Sequence, residues 1–171
     1  RISVLSVRSN MTRLISCING PTLNLLGDRE PEIYGRLSLD DIGDLLKAEA
    51  REFNLEVEML QSNSEGQIVD WIQDARKNAA GVILNAAAYT HTSIAIHDAL
   101  RTLSIPVIEV HLSNPAARES FRSVNFVSSV VTGSIVSVSK EICSDNSPKL
   151  AFKGPAYANL WLAAAAPIWA D

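Results

Sequence analysis

Short apolar runs recur along the chain at residues 13–18, 55–60, 81–84, 105–110 and 128–138, and between them the apolar positions spread out to helical spacing. The run at 13–18 predicts a first strand, stopped sharply by Asn19-Gly20-Pro21. Leu39, Ile42, Leu46 and Phe53 then recur with a helical period, so residues 38–54 read as an amphipathic helix. Ser38 stands at its cap with Asp41 in capping-box position. Residues 55–60 alternate apolar and acidic, the pattern of a strand with one less buried face. Gln61-Ser62-Asn63 breaks that strand, and Ser64 with Gln67 repeats the capping box ahead of a second helix. Ile68, Trp71, Ile72 and Ala75 form its expected buried stripe.

The second half repeats the theme. Residues 81–84 predict a brief strand buried on both faces. An alanine-rich loop follows over 85–91, then a third helix over 92–103. Residues 105–110 predict a fourth strand with Pro106 near its start. Asn114-Pro115 pairs a cap residue with proline at the first helical position, which predicts a short helix over 115–121. The β-branched stretch 128–138 predicts a fifth strand around Gly133. Beyond Lys140 the periodicity dissolves. Residues 1–12 and 139–171 are therefore set apart as an N-terminal extension and a divergent tail around a domain at 13–138. Alternating strands and helices mean a parallel sheet covered by helices. The expected fold class is α/β, a flavodoxin-like doubly wound five-stranded parallel sheet with helices on both faces.

One stretch obeys neither period. From Asn19 to Gly35 the chain runs Asn-Gly-Pro-Thr-Leu-Asn-Leu-Leu-Gly-Asp-Arg-Glu-Pro-Glu-Ile-Tyr-Gly. It is too long for an ordinary turn, and loops of that length carry function or are disordered. Leu23, Leu25, Leu26 and Ile33 need something to pack against, which favours an ordered or closable active-site loop.

Composition narrows the classes. Hydrophobic residues make up 47% and charged residues 20% of 171, with a formal net charge of −4 and no basic block. That argues for one globular domain and against a nucleic-acid surface. No apolar run approaches the ~18 residues of a membrane span. Cys17 and Cys143 are far apart and lie in no metal-type spacing. Cys17 falls in an apolar run as a buried free thiol, which fits a reducing, cytoplasmic setting. No signal peptide is visible, and the start at Arg1 suggests a fragment or a processed chain.

Open parallel sheets bind ligands beyond the carboxyl ends of their strands. The predicted strands end at Asn19, at Gln61 and Ser62, at Asn85 with His91 six residues on, and at His111 followed by Leu112 and Ser113. Polar and titratable groups thus gather on one edge of the sheet. Each has a plainer reading too. Asn85 can cap its strand, His91 can be a structural hydrogen-bonder, and Arg122 can form a solvated ion pair. His97, beside Asp98, suits a surface or interface. Glu109 lies inside a buried strand, where an unpaired carboxylate is costly, so a neighbouring histidine or arginine is its expected partner. His111 at a strand end can serve as acid or base near neutrality. Gly20 and Gly27 lack the spacing of a dinucleotide loop, and no ligand pattern marks a metal, so a cofactor-free reaction is favoured.

Four segments together resemble the type II 3-dehydroquinases: residues 18–35, 61–71 (Gln-Ser-Asn-Ser-Glu-Gly-Gln-Ile-Val-Asp-Trp), 83–99 (Ile-Leu-Asn-Ala-Ala-Ala-Tyr-Thr-His-Thr-Ser-Ile-Ala-Ile-His-Asp-Ala) and 105–122. The match runs in order through about 13–138. The resemblance implies a flavodoxin-like fold, cofactor-free dehydration of 3-dehydroquinate to 3-dehydroshikimate, and a dodecamer built as a tetramer of trimers. It also implies roles. Tyr34 resembles the general base, and Arg29 the loop arginine that favours the tyrosinate and the developing negative charge. His111 resembles the general acid, oriented or polarised by Glu109. Asn85, His91 and Arg122, with the backbone at Leu112 and Ser113, correspond to ligands of the substrate's hydroxyl and carboxylate groups. Asp98 corresponds to a residue that reaches the substrate of a neighbouring subunit.

Two departures stand out. Thr22 replaces the second asparagine of the family's Asn-Gly-Pro-Asn, which predicts a weakened reaction. Residues 139–171 do not follow the family's glycine-rich end and helix. They motivate the competing reading of an impaired relative that only binds substrate or serves in assembly. A flavin-binding electron carrier rests on fold alone and lacks a phosphate loop.

Overall fold

The computed structural model describes residues 13–28 and 36–136. Five strands and three helices alternate through them: β1 (Arg13–Asn19), α1 (Leu39–Glu52), β2 (Leu55–Gln61), α2 (Glu65–Asn78), β3 (Gly81–Asn85), α3 (Ile94–Leu100), β4 (Val107–His111) and β5 (Gly133–Val136). All neighbouring strands pair parallel in the order β2-β1-β3-β4-β5. The α/β flavodoxin-like expectation therefore holds, and every strand ends on the same edge.

Strand periodicity divides the core. Ile15 and Cys17 of β1, Ile83 of β3, and Ile108 and Val110 of β4 pack toward Ile42, Leu46 and Ala50 of α1. Ile18, Val82, Leu84 and Val107 pack toward Ile68, Ile72 and Ala75 of α2 and Ile96, Ala99 and Leu100 of α3. Alternate residues of one strand thus serve opposite layers. Cys17 is a buried free thiol as expected, its pKa pushed up to about 12 by burial against a weaker opposing hydrogen bond from Asn19.

The Ser38–Asp41 capping box forms with both reciprocal bonds, 3.1 Å from Asp41 N to Ser38 Oγ and 2.9 Å from Ser38 N to Asp41 Oδ2. The second expected box is one-sided: Ser64 Oγ accepts from Gln67 N at 3.5 Å. Phe53 is not in the buried stripe, because it caps the C-terminus of α1 with 47% of its surface exposed. Trp71 is only partly buried at the rim of the α2 layer. The helix expected over 115–121 is two separate 3-10 turns, Pro115–Ala117 and Ser120–Ser123. The long fifth strand is also shorter than its β-branched run. Ser128–Val130 curls into a 3-10 turn, and among the described residues Gly133–Val136 pairs with β4, while 137 and 138 lie outside them. At Ser128 local propensity yields to a side-chain bond with Glu109 of β4.

Candidate active site

The carboxyl edge is drawn together first by backbone. Asn19 lies in register with Gln61 on one side and Asn85 on the other. Gly20 N donates to Asn85 O at 2.8 Å, so the chain leaving β1 crosses directly over the end of β3. A Cβ on Gly20 would sit 2.4 Å from Ala86 O, which only glycine avoids. Gln61 Nε2 donates to Gly20 O at 3.2 Å, Thr22 N donates to Asn63 Oδ1 at 2.9 Å, and Tyr89 Oη donates to Asn63 O at 2.8 Å. Leu23 and Leu26 then turn inward and are buried, while Leu25 is exposed.

Two residues on this floor hold backbone angles that side chains resist. Thr22 has φ 64° and Ala87 has φ 52°, both left-handed. The third such residue, Asn54, lies just past α1, where asparagine is at home. Thr22 and Ala87 both line one cleft of ≈ 210 Å³ at the strand ends. Backbone strain thus concentrates around the space a ligand would fill.

The opposite wall holds the titratable groups. Asn85, His91, His111, Leu112, Ser113 and Arg122 all line the cleft. Asn85 Oδ1 accepts from Ala87 N at 3.2 Å. His91, at the end of the Ala87–His91 3-10 turn, sets its Nδ1 2.6 Å from Val124 O. A carbonyl only accepts, so Nδ1 carries the proton and Nε2 remains for a ligand.

His111 and Glu109 lie two residues apart on β4 and so share a face. Their side chains meet at 2.8 Å, Nε2 to Oε1, with Glu109 wholly buried and His111 8% exposed. Burial pushes the Glu109 carboxyl upward. Hydrogen bonds from His111, Ser128 and Ser134, with the attraction of the imidazole, outweigh it and bring the pKa down to about 2. Glu109 is therefore an anion, Nε2 of His111 donates to it, and Nδ1 is the nitrogen left over.

Arg122 plays both of its expected parts. It lines the cleft and pairs with Glu119, Nε to Oε2, at 2.6 Å. Arg118 approaches the same Glu119 oxygen at 3.5 Å and also lines the cleft. Two arginines thus line the cleft with Glu119 between them. The sequence reading passed over Arg118, although the Arg-Glu-Ser-Phe-Arg spacing carried a signal: two cations four apart with an acid between them. It also passed over Asn125, Ser128 and Ser134, which no local pattern marks. Asp98 is exposed on α3 and is not among the residues lining this chain's cleft. His97 is not a free surface residue, since its Nδ1 bonds Phe126 O at 2.6 Å. Arg29 and Tyr34 lie outside the described residues. Among the described residues, no group of three or more His, Cys, Asp or Glu gathers to hold a metal ion.

A parallel α/β domain with a buried carboxylate–imidazole pair opening on a cleft lined by two arginines is the design of an acid–base enzyme for a small anion. Comparison with known proteins gives the family. The dehydroquinase class II family model matches residues 13–142, and the chain belongs to that family. It is 58% identical over 125 residues to a 3-dehydroquinate dehydratase of Hyphomonas neptunium, covering 73% of this chain and 84% of that one. A second relative of that name, from Phenylobacterium zucineum, is 52% identical over 123 residues, covering 72% and 85%. The crystal structure of the type II dehydroquinase from Propionibacterium acnes superposes with a TM-score of 0.74 at 43% identity, covering 90% of this chain and 98% of that one. The family resemblance read from the four segments is borne out.

Proposed function

We propose that this chain eliminates water from 3-dehydroquinate to give 3-dehydroshikimate through an enolate, without a cofactor, as a hydro-lyase of the shikimate pathway or of quinate breakdown. The observation that carries the reading is the His111–Glu109 pair at the cleft wall. With Nε2–H held by an ionised carboxylate, protonated His111 offers its Nδ1 proton to a departing hydroxyl. The proton beside the ketone goes to Tyr34. A free tyrosine has a pKa of ~10, so this base needs a cation to favour the tyrosinate, the role we assign to Arg29. Arg122 and the backbone of Leu112 and Ser113 take the substrate carboxylate, a role supported by their place in the cleft lining. Asn85 and His91 Nε2 take hydroxyl groups.

Asp98 serves the substrate of a neighbouring subunit in a dodecamer, a tetramer of trimers. Its exposure on α3, off its own chain's cleft, supports that reading. A buried free thiol at Cys17 supports a cytoplasmic setting. No helix among the described residues is long and apolar enough to cross a membrane.

The test is direct. Mixing the protein with 3-dehydroquinate should raise the ultraviolet absorbance of the conjugated enone product. Binding without that absorbance at high protein concentration would leave an impaired relative as the answer. Sedimentation of the same sample addresses assembly, where a monomer would sink the dodecamer.

A further inference from the structure

Residues 124–128 link the Ser120–Ser123 turn to the Ser128–Val130 turn, yet they bond in three directions at once. Val124 O accepts from His91 Nδ1 at 2.6 Å. Phe126 N donates to Thr90 O at 2.9 Å, and Phe126 O accepts from His97 Nδ1 at 2.6 Å. Between these, Asn125 turns inward. Its Oδ1 accepts from Val127 N at 2.7 Å and from Ser128 N at 2.8 Å, which closes the turn. Its Nδ2 donates to Glu109 Oε1 at 3.0 Å. The closed turn delivers Ser128 Oγ to Glu109 Oε2 at 2.7 Å, and Ser134 Oγ of β5 reaches the same oxygen at 2.7 Å.

Counting donors shows what this does. A carboxylate has about four acceptor positions. Here His111 Nε2 and Asn125 Nδ2 meet Oε1, and the two serine hydroxyls meet Oε2. A proton on Glu109 would cost at least one of these donors its acceptor in a wholly buried site. Among the described residues, His111 is the only charged or titratable group in contact with Glu109. The 124–128 segment and β5 supply neutral donors. His91 and His97, from the elements packed alongside, are each occupied with a carbonyl.

We propose that residues 124–128 are a clasp that positions both cleft imidazoles. Asn125 and Ser128, with Ser134, hold Glu109 as the anion that pins Nε2–H of His111 and confines its exchangeable proton to Nδ1. Val124 O does the matching work for His91, pinning Nδ1–H and leaving Nε2 for the cleft. One segment thus sets the tautomers of two rings that approach the substrate space from different elements. These are positioning residues, and their catalytic effect rests on the dehydratase reading.

The decisive experiment pairs a kinetic readout with a substrate-free one. In Ser128→Ala/Ser134→Ala, the Glu109 carboxyl, followed by carbon NMR, should titrate about one to two pH units higher than in the wild type. The nitrogen shifts of His111 should move from a pure Nε2–H form toward a tautomer average. kcat should fall roughly tenfold at unchanged KM. Ser134→Thr in the wild-type background keeps the hydroxyl and should retain wild-type titration and turnover. Ser134→Ala alone, which leaves the Asn125 turn intact, guards against a folding defect in the double variant. Unmoved Glu109 titration and an unmixed His111 tautomer in both alanine variants would overturn the clasp. A wild-type protein that makes no enone would instead overturn the functional reading, and the NMR comparison would still decide the clasp.

Discussion

The two walls of the cleft are built on opposite principles. The β4 wall is a chemical construction. A buried anion is satisfied by four side-chain donors, and an imidazole is fixed through it. The β1 floor is a construction of backbone. It relies on a glycine pressed against Ala86 O, a threonine and an alanine in left-handed angles, and a mesh of amide bonds through Gln61 and Asn63. The first wall fixes where protons sit, and the second fixes where the chain may not be. The difference teaches that a site of this kind can fail in two separable ways, by losing its acid or by losing its shape.

The sharpest way to break the comparison is at His111. His111→Gln should lower kcat by about 10²–10⁴ while the fold persists, since it removes the proton donor and leaves the floor untouched. Turnover on 3-dehydroquinate and a far-ultraviolet dichroism spectrum would check both halves. Turnover within a few-fold of wild type would move the acid elsewhere.

Next in size is the acid dependence of folding. Glu109 has its pKa lowered from the ordinary 4.5 to about 2, so its contribution is complete above the unfolded value and is lost as pH falls toward the folded one. That loss should be on the order of 3 kcal/mol between about pH 5 and pH 2. Denaturant unfolding at several pH values should therefore fall more steeply for the wild type than for Glu109→Gln. Parallel curves would mean the carboxylate is not held as its four donors imply.

Gly20→Ala probes the other wall. The added methyl meets backbone at 2.4 Å, so the crossing over β3 must shift. A loss of roughly 1–3 kcal/mol of stability is expected, with KM raised more than the pH profile is altered. An altered pH profile at unchanged KM would show that the walls are not separable.

The smallest expected effect is a gain. Thr22→Asn places a residue that tolerates left-handed angles at φ 64°, and relief of about 1 kcal/mol should raise the unfolding midpoint by about 2–4 °C. Turnover should rise as well, if threonine weakens the reaction as the resemblance to Asn-Gly-Pro-Asn implies. A midpoint that does not move would remove strain from the account of this position, and higher turnover without it would point to the lost amide alone.

Much of this was legible in the chain. Apolar runs and helical spacing place β1 to β4 and all three helices within a few residues, because a doubly covered parallel sheet writes its layers directly into periodicity. The strand-end rule brought Asn85, His91 and His111 to one edge before any coordinates, and the edge holds them together. Glu109 was expected to find a histidine or an arginine because an unpaired carboxylate in a buried strand is too costly, and its partner is His111.

Other features were not legible, and the reason is distance in sequence. Asn125, Ser128 and Ser134 look like ordinary polar punctuation around a β-branched run. They become the shell of Glu109 only once β5 pairs with β4 and the chain between them is drawn under the cleft. The fifth strand was overextended for the same cause, since Ser128 bonds Glu109 instead of extending the ladder. Thr22 departs from the family pattern in residue type, whereas its left-handed angle is seen only in the fold, where its N–H also meets Asn63 Oδ1. The sequence by itself determined the layers, the order of elements and the edge where chemistry gathers, since these follow from local hydrophobic period. Only the tertiary structure decided which groups share a proton and which backbone is strained, since both depend on donors brought together from segments far apart in the chain.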